Sequence, residues 1–131
     1  MKSFFVLLLS SLILMSCSSS DSSSGEEDIP DVSIPTLTTN AITGIDANSA
    51  TSGGNVTNNG GGALLQIGLC WDTNPNPTIA DNRTEEDTND ANFTSTMNSL
   101  NPNTLYYVRA YASNSAGVGY GNQQSFTTLD Q

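Results

Sequence analysis

An all-β sandwich of about seven antiparallel strands is the fold class this 131-residue sequence predicts. Three observations carry it. From Thr36 onward, short runs of alternating or β-branched residues recur at near-regular spacing. Clusters of Gly, Asn and Pro separate those runs. No window of useful length has the period of a helix.

In chain order, Thr36–Ile45 is β-branched with a break at Asn40-Ala41. Ala50–Thr57 alternates small residues and ends in the turn cluster Asn58-Asn59-Gly60-Gly61-Gly62. Leu64–Trp71 is the most apolar run after the N-terminal stretch that ends at Cys17, bounded by Asp72-Thr73-Asn74-Pro75. Ala91–Leu100 alternates polar and apolar residues. Leu105–Ala112 and Tyr120–Thr128 follow, divided by Asn114-Ser115-Ala116-Gly117. Parity along Ile67-Gly68-Leu69-Cys70-Trp71 puts Ile67, Leu69 and Trp71 on the inward face and Cys70 outward beside Gln66 and Gly68.

Ahead of these strands the composition differs. Lys2, the apolar stretch Phe4–Leu9 and Leu12-Ile13-Leu14-Met15, and a small residue before a cysteine are the marks of a secretory signal. The stretch is shorter than the ~20 residues of a stable span. Leu14-Met15-Ser16-Cys17 resembles the lipobox of bacterial lipoproteins, which are cut before the cysteine and lipidated on it. The resemblance implies residues 1–16 as a cleaved signal peptide, with Cys17 carrying the lipid. The alternatives are a plain signal peptide and a Cys17–Cys70 disulfide, although nothing in the serine-rich surroundings of Cys17 would hold it near Cys70. Residues 17–35, rich in Ser, Asp, Glu and Pro, read as a disordered tether. Stretched, its eighteen residues after Cys17 span at most ~60 Å, and as a coil ~20–25 Å. Its acids also weakly resemble the short acidic signals that send some lipoproteins to the cell surface.

Charge and missing residue types narrow the function. The chain carries 13 acids, 3 bases and no histidine, for a net charge of −10. Cleavage before Cys17 would remove Lys2 and leave Arg83 and Arg109 as the only bases. Such a surface repels nucleic acid. The absence of His and, after that cleavage, of Lys removes Ser–His–Asp and Cys–His pairs, Schiff-base lysines and imidazole zinc sites.

The segment Leu100-Asn101-Pro102-Asn103-Thr104-Leu105-Tyr106-Tyr107-Val108-Arg109-Ala110-Tyr111-Ala112 resembles the corner and penultimate strand of fibronectin type III domains, members of the immunoglobulin-like sandwiches. In that arrangement Pro102 fixes the turn and Leu100 plugs the end of the sandwich. Tyr106 is the tyrosine corner, with a buried ring and a hydroxyl bonded to upstream backbone. Val108, Ala110 and Ala112 share its inward face, whereas Tyr107, Arg109 and Tyr111 face out. The resemblance covers about Pro35 to Leu129, and the folded domain is expected over 36–129. One departure is the tryptophan. Most of the family places it on the second strand, here Ala50–Val56, whereas Trp71 sits on the next. Gly68, Cys70, Trp71 and the loop Pro75-Asn76-Pro77-Thr78-Ile79-Ala80 resemble a bacterial subtype of the domain.

Four groups are candidates for chemistry. Asp81, Glu85, Glu86, Asp87 and Asp90 are oxygen ligands dense enough to consider calcium. They lack the EF-hand spacing, and a solvated acidic loop is the plainer reading. Glu85 and Glu86 as paired carboxylates for hydrolysis are disfavoured, because chain neighbours point apart. Outward Tyr107, Arg109 and Tyr111 suit a protein partner or stacking on sugar rings, or else a cross-strand ladder. Cys70 reads as a small, partly buried apolar residue. The sequons at Asn55, Asn82 and Asn92 mean little if, as the lipobox resemblance implies, the host is bacterial.

The expectation is a non-catalytic lipoprotein, anchored to the outer membrane with the cell surface as one placement, displaying one fibronectin type III-like module for adhesion or protein interaction. Its membrane contact is the lipid on Cys17, and no other cofactor is expected. The rivals are a carbohydrate-binding accessory protein using Tyr107, Arg109 and Tyr111, and a calcium-stiffened stalk.

Overall fold

The structure, a computed structural model, describes residues 31–131. Cys17, the signal segment and most of the expected tether lie outside the described residues. Eight strands occur among the described residues: β1 (Thr36–Thr39), β2 (Ala50–Asn58), β3 (Gln66–Asp72), β4 (Asn82–Arg83), β5 (Asn92–Met97), β6 (Leu105–Asn114), β7 (Gly117–Tyr120) and β8 (Gln124–Thr127). One sheet has the order β1-β2-β5. The other has the order β4-β3-β6, with β7 and β8 pairing successive lengths of β6. Every pair is antiparallel.

The core lies between the sheets. Leu37, Val56, Phe93 and Met97 meet Ile67, Leu69, Trp71, Tyr106, Val108, Ala110, Ala112 and Phe126. Strand parity produces this directly, since alternate residues of β3 and β6 share the inward face. Gly54 explains how β2 manages without a tryptophan. A Cβ there would sit 2.6 Å from the Ala110 methyl and 2.9 Å from the Phe93 ring. Its absence lets both fill the space that a large β2 side chain would take, and Trp71 supplies the indole from the opposite sheet.

The last strand departs from the expected continuous run over Tyr120–Thr128. It is two strands, β7 and β8, separated at Gly121–Gln123. The cause is a cross-sheet hydrogen bond. The Ala110 N–H donates to Thr39 Oγ1 (2.9 Å), and the Thr39 N–H donates to Asn122 Oδ1 (2.8 Å). β6 therefore gives Ala110's donor to β1, and the chain detours around buried Thr39 before pairing resumes.

The folded unit runs Val32–Gln131, so it opens ahead of the expected boundary at Thr36. Ser33 N–H donates to the Gly60 carbonyl at 2.9 Å. The buried Asn114 amide donates to the carbonyls of Ser33 (2.7 Å) and Asn59 (2.9 Å). Its oxygen accepts the Ala116 and Gly117 N–H groups. One side chain thus joins the chain's entry, the loop after β2 and the turn before β7.

The acidic segment expected as a solvated loop contains an edge strand. β4 pairs β3 at Cys70↔Arg83 and Trp71↔Asn82. Pairing continues irregularly as Thr84 N–H donates to Leu69 O and Glu86 N–H to Ile67 O, both at 2.8 Å. Backbone bonding to β3, rather than apolar side chains, recruits this segment.

Candidate functional site

Tyr107, Arg109 and Tyr111 do alternate with the inward residues of β6, but they do not form an exposed row. Tyr111 is fully buried, 0% exposed. It sits opposite Gly68 on β3, where the missing side chain leaves a channel across the strand. Through it the Tyr111 hydroxyl donates to the Thr84 carbonyl at 2.6 Å. Burial, followed by the nearby charge of Glu85, pushes this phenol up to about 12.

Arg109 is half-buried beneath the loop before β4. Its Nε and Nη2 donate to the Pro77 carbonyl at 3.0 and 2.6 Å. Its guanidinium lies 4.1 Å from the centroid of the Tyr120 ring. The Tyr120 hydroxyl in turn accepts the Ile79 N–H at 3.1 Å. Cys70, expected outward, is likewise 0% exposed, with Sγ donating to Pro77 O at 3.5 Å. Burial pushes its thiol up to about 12, against the opposing pull of Arg109. The parity reading therefore located these side chains on the outer face, but Pro77–Glu86 covers that face. Tyr107, between Asp72 and Ser125, is half-exposed like Arg109 but lies outside that cover's hydrogen bonds.

The five acids of the calcium candidate are committed to separate partners. Asp81 accepts the Thr78 N–H, and Glu85 pairs with Arg83 at 3.0 Å and accepts from Gln66. Glu86 accepts the hydroxyl of buried Ser95 at 2.6 Å. Asp87 and Asp90 hold the turns at Asn89 and Asn92. Among the described residues, no three acidic, Cys or His side chains are grouped to hold a metal.

The corner residues form the opposite end of the sandwich. Tyr106 stacks on Phe126 with ring centroids 5.8 Å apart, and its hydroxyl accepts the Asn101 N–H at 2.9 Å. Buried Leu100 exchanges hydrogen bonds with Asn48 through its N–H and carbonyl. The Pro102 carbonyl accepts the Thr104 hydroxyl at 2.8 Å. Trp71, 7% exposed, lies in the core.

Sequence reasoning missed an open cleft of about 400 Å³ near the chain's entry. It lies between the end of β2 (Val56–Asn59), the following loop (Ala63, Leu64) and the loop before β5 (Thr88, Asn89, Ala91). The signal was the turn cluster at Asn58–Gly62. Asn58 Oδ1 accepts the Gly60 N–H at 2.8 Å, and Asn59 Oδ1 accepts the Gly61 N–H at 2.9 Å. Gly60 and Gly61 supply the positive φ values of 80° and 86° that this turn requires.

No protein-family model matches the sequence, and no curated protein matches it. Solved structures do resemble the fold. The FN1-FN3 domains of chicken CNTN1 match with a TM-score of 0.57 and 17% identity, over 76% of this chain and 33% of that one. This chain thus spans about a third of the CNTN1 chain. An FN3 domain of human collagen XX matches with a TM-score of 0.55 and 16% identity, over 79% of this chain and 100% of that one. The sensor domain of the anti-sigma factor RsgI4 from Pseudobacteroides cellulosolvens matches with a TM-score of 0.55 and 26% identity, over 77% of this chain and 100% of that one. Sheet order, core and these likenesses together make the unit from Val32 to Gln131 an immunoglobulin-like β-sandwich of the fibronectin type III type.

Proposed function

We propose that this chain is a non-catalytic, lipid-anchored envelope protein that presents one fibronectin type III-like module to a protein partner. The observation that carries the reading is the sequence Leu14-Met15-Ser16-Cys17 behind an apolar run, followed by a polar segment and one folded unit from Val32. The domain supports a binding role over a catalytic one. Its arginine–thiol pair, Arg109 and Cys70, is occupied by the Pro77 carbonyl. Its carboxylates are spread over separate turns and partners. The FN3 neighbours support an interaction module by likeness of fold.

Replacing Cys17 tests the anchor. Cys17→Ser is expected to abolish incorporation of labelled palmitate and release the protein from membranes, with the melting midpoint of the domain unchanged. Retention of the variant in a salt-washed membrane pellet overturns the reading.

The 26% identity to an anti-sigma factor's sensor domain, covering all of that chain, favours a second reading in which the module senses rather than adheres. Crosslinking from the domain in intact cells separates the two. Recovery of a signalling protein favours sensing, and recovery of a surface or matrix protein favours adhesion.

A further inference from the structure

We infer that the cleft between the end of β2 and the loop before β5 binds a neutral, hydroxyl-rich ligand, namely a sugar unit of a glycan. Its volume of about 400 Å³ suits a small ligand or one unit of a longer chain. None of its lining residues is charged, on a chain that carries 13 acids. Asp87 and Asp90 flank Asn89 in sequence, yet neither lines the cleft, and one oxygen of each holds its own turn. Arg83 and Arg109 are bound to Glu85 and Pro77. The site therefore offers neither a cation for an anionic ligand nor a free carboxylate for a cationic one.

The polar groups that remain are set in orientation. Asn58 and Asn59 tie their amide oxygens to Gly60 and Gly61, which leaves their Nδ2 groups as donors. Asn89 does the reverse. Its Nδ2 donates to Asp87 Oδ1 at 2.9 Å, which leaves its Oδ1 as an acceptor. Thr88 adds a hydroxyl that donates and accepts. Fixed donors and a fixed acceptor match a ligand rich in hydroxyls, each of which both donates and accepts. The turns have already ordered the two asparagines, so binding does not bear that entropic cost. Val56, Ala63, Leu64 and Ala91 provide apolar surface for the C–H faces of a sugar ring. An extended peptide is the poorer fit, since it docks along a strand edge, and past the end of β5 pairing at Asn55↔Asn92 and the Val56 N–H bond to Ala91 only Thr57 and Asn58 of β2 are open on that side.

The test uses the mature chain carrying Cys17→Ser, titrated with maltose, cellobiose and lactose at millimolar concentration and followed by amide chemical shifts. At least one sugar is expected to give saturable shifts at Asn58, Asn59, Leu64, Thr88 and Asn89. Ala63→Trp, which fills the cleft without touching either turn, is expected to weaken that binding about tenfold or more. Thr88→Val is expected to weaken it several-fold while the spectrum stays that of the folded protein. Absence of cleft shifts with all three sugars overturns the inference. So do cleft shifts given only by a uronic-acid disaccharide or by a neutral peptide. The site does not depend on Cys17, so either outcome leaves the anchoring reading to its own test.

Discussion

The two faces of the β3–β6 sheet are both buried, but by different means. The inner face is covered by the opposing sheet through apolar contact, with Ile67, Leu69, Val108 and Ala110 fully enclosed. The outer face is covered by the chain's own Pro77–Glu86 segment, which buries the Pro77 ring and is held by polar attachments at Arg109, Tyr111 and the backbone of β3. Apolar burial is non-directional and sums over area. A polar cover depends on a few directed bonds, so single atoms decide whether it stays closed.

The largest effect that separates the faces is expected inside. Leu69→Ala should cost about 3 kcal/mol of global stability, measured by urea unfolding, because it leaves a cavity where two sheets already fit. A loss no larger than that of an outer-face substitution would dissolve the contrast. Gly68→Ala comes next, at about 2 kcal/mol, because its Cβ would lie 2.2 Å from the Thr84 carbonyl and push the cover away. Hydrogen exchange should accelerate at the Thr84 and Glu86 amides well beyond the change at Val108.

The outer face should also fail first in alkali. The Cys70 thiol is raised from 9.0 to about 12, and the Tyr111 phenol from 10.0 to about 12, so the folded chain holds both protons more tightly than the unfolded chain. Their contribution is therefore complete below pH 9 and is lost as pH rises toward 12. Thermal midpoints across that window should fall for the wild type and fall less for Tyr111→Phe. The smallest effect on stability is expected from Arg109→Ala, about 1 kcal/mol. Its clearer signature is chemical. With Pro77 unlatched, Cys70 should react with a thiol reagent under conditions where the wild type does not.

The inner face was legible in the sequence and the outer one was not, for the same physical reason. Alternation at Ile67, Leu69 and Trp71, and again at Tyr106, Val108, Ala110 and Ala112, states which side chains avoid water. Alternation is silent on what lies over the other side. The cover comes from Pro77 to Glu86, where Ile79 and Ala80 are outnumbered by Pro, Thr, Asp, Asn, Arg and Glu, a composition that reads as a loop. What holds it is backbone hydrogen bonding and the missing side chain of Gly68, and neither appears in a hydrophobic pattern. The split of the last strand was hidden in the same way, because it follows from one threonine of β1 taking a donor of β6. The cleft was hidden too, since asparagines beside glycines announce a turn without saying which of their amide groups that turn leaves free.

The Asn114 amide has a mechanical consequence. A pull on the chain at Val32 reaches a junction where Ser33, Asn59 and the Ala116–Gly117 turn hang from one buried side chain. Beyond it β1 runs along β2 from Thr36↔Asn58 to Thr39↔Gly54, so the same pull loads that ladder lengthwise instead of unzipping it bond by bond. The end of the domain through which traction from the N-terminal side would arrive is thus the end built to share a load.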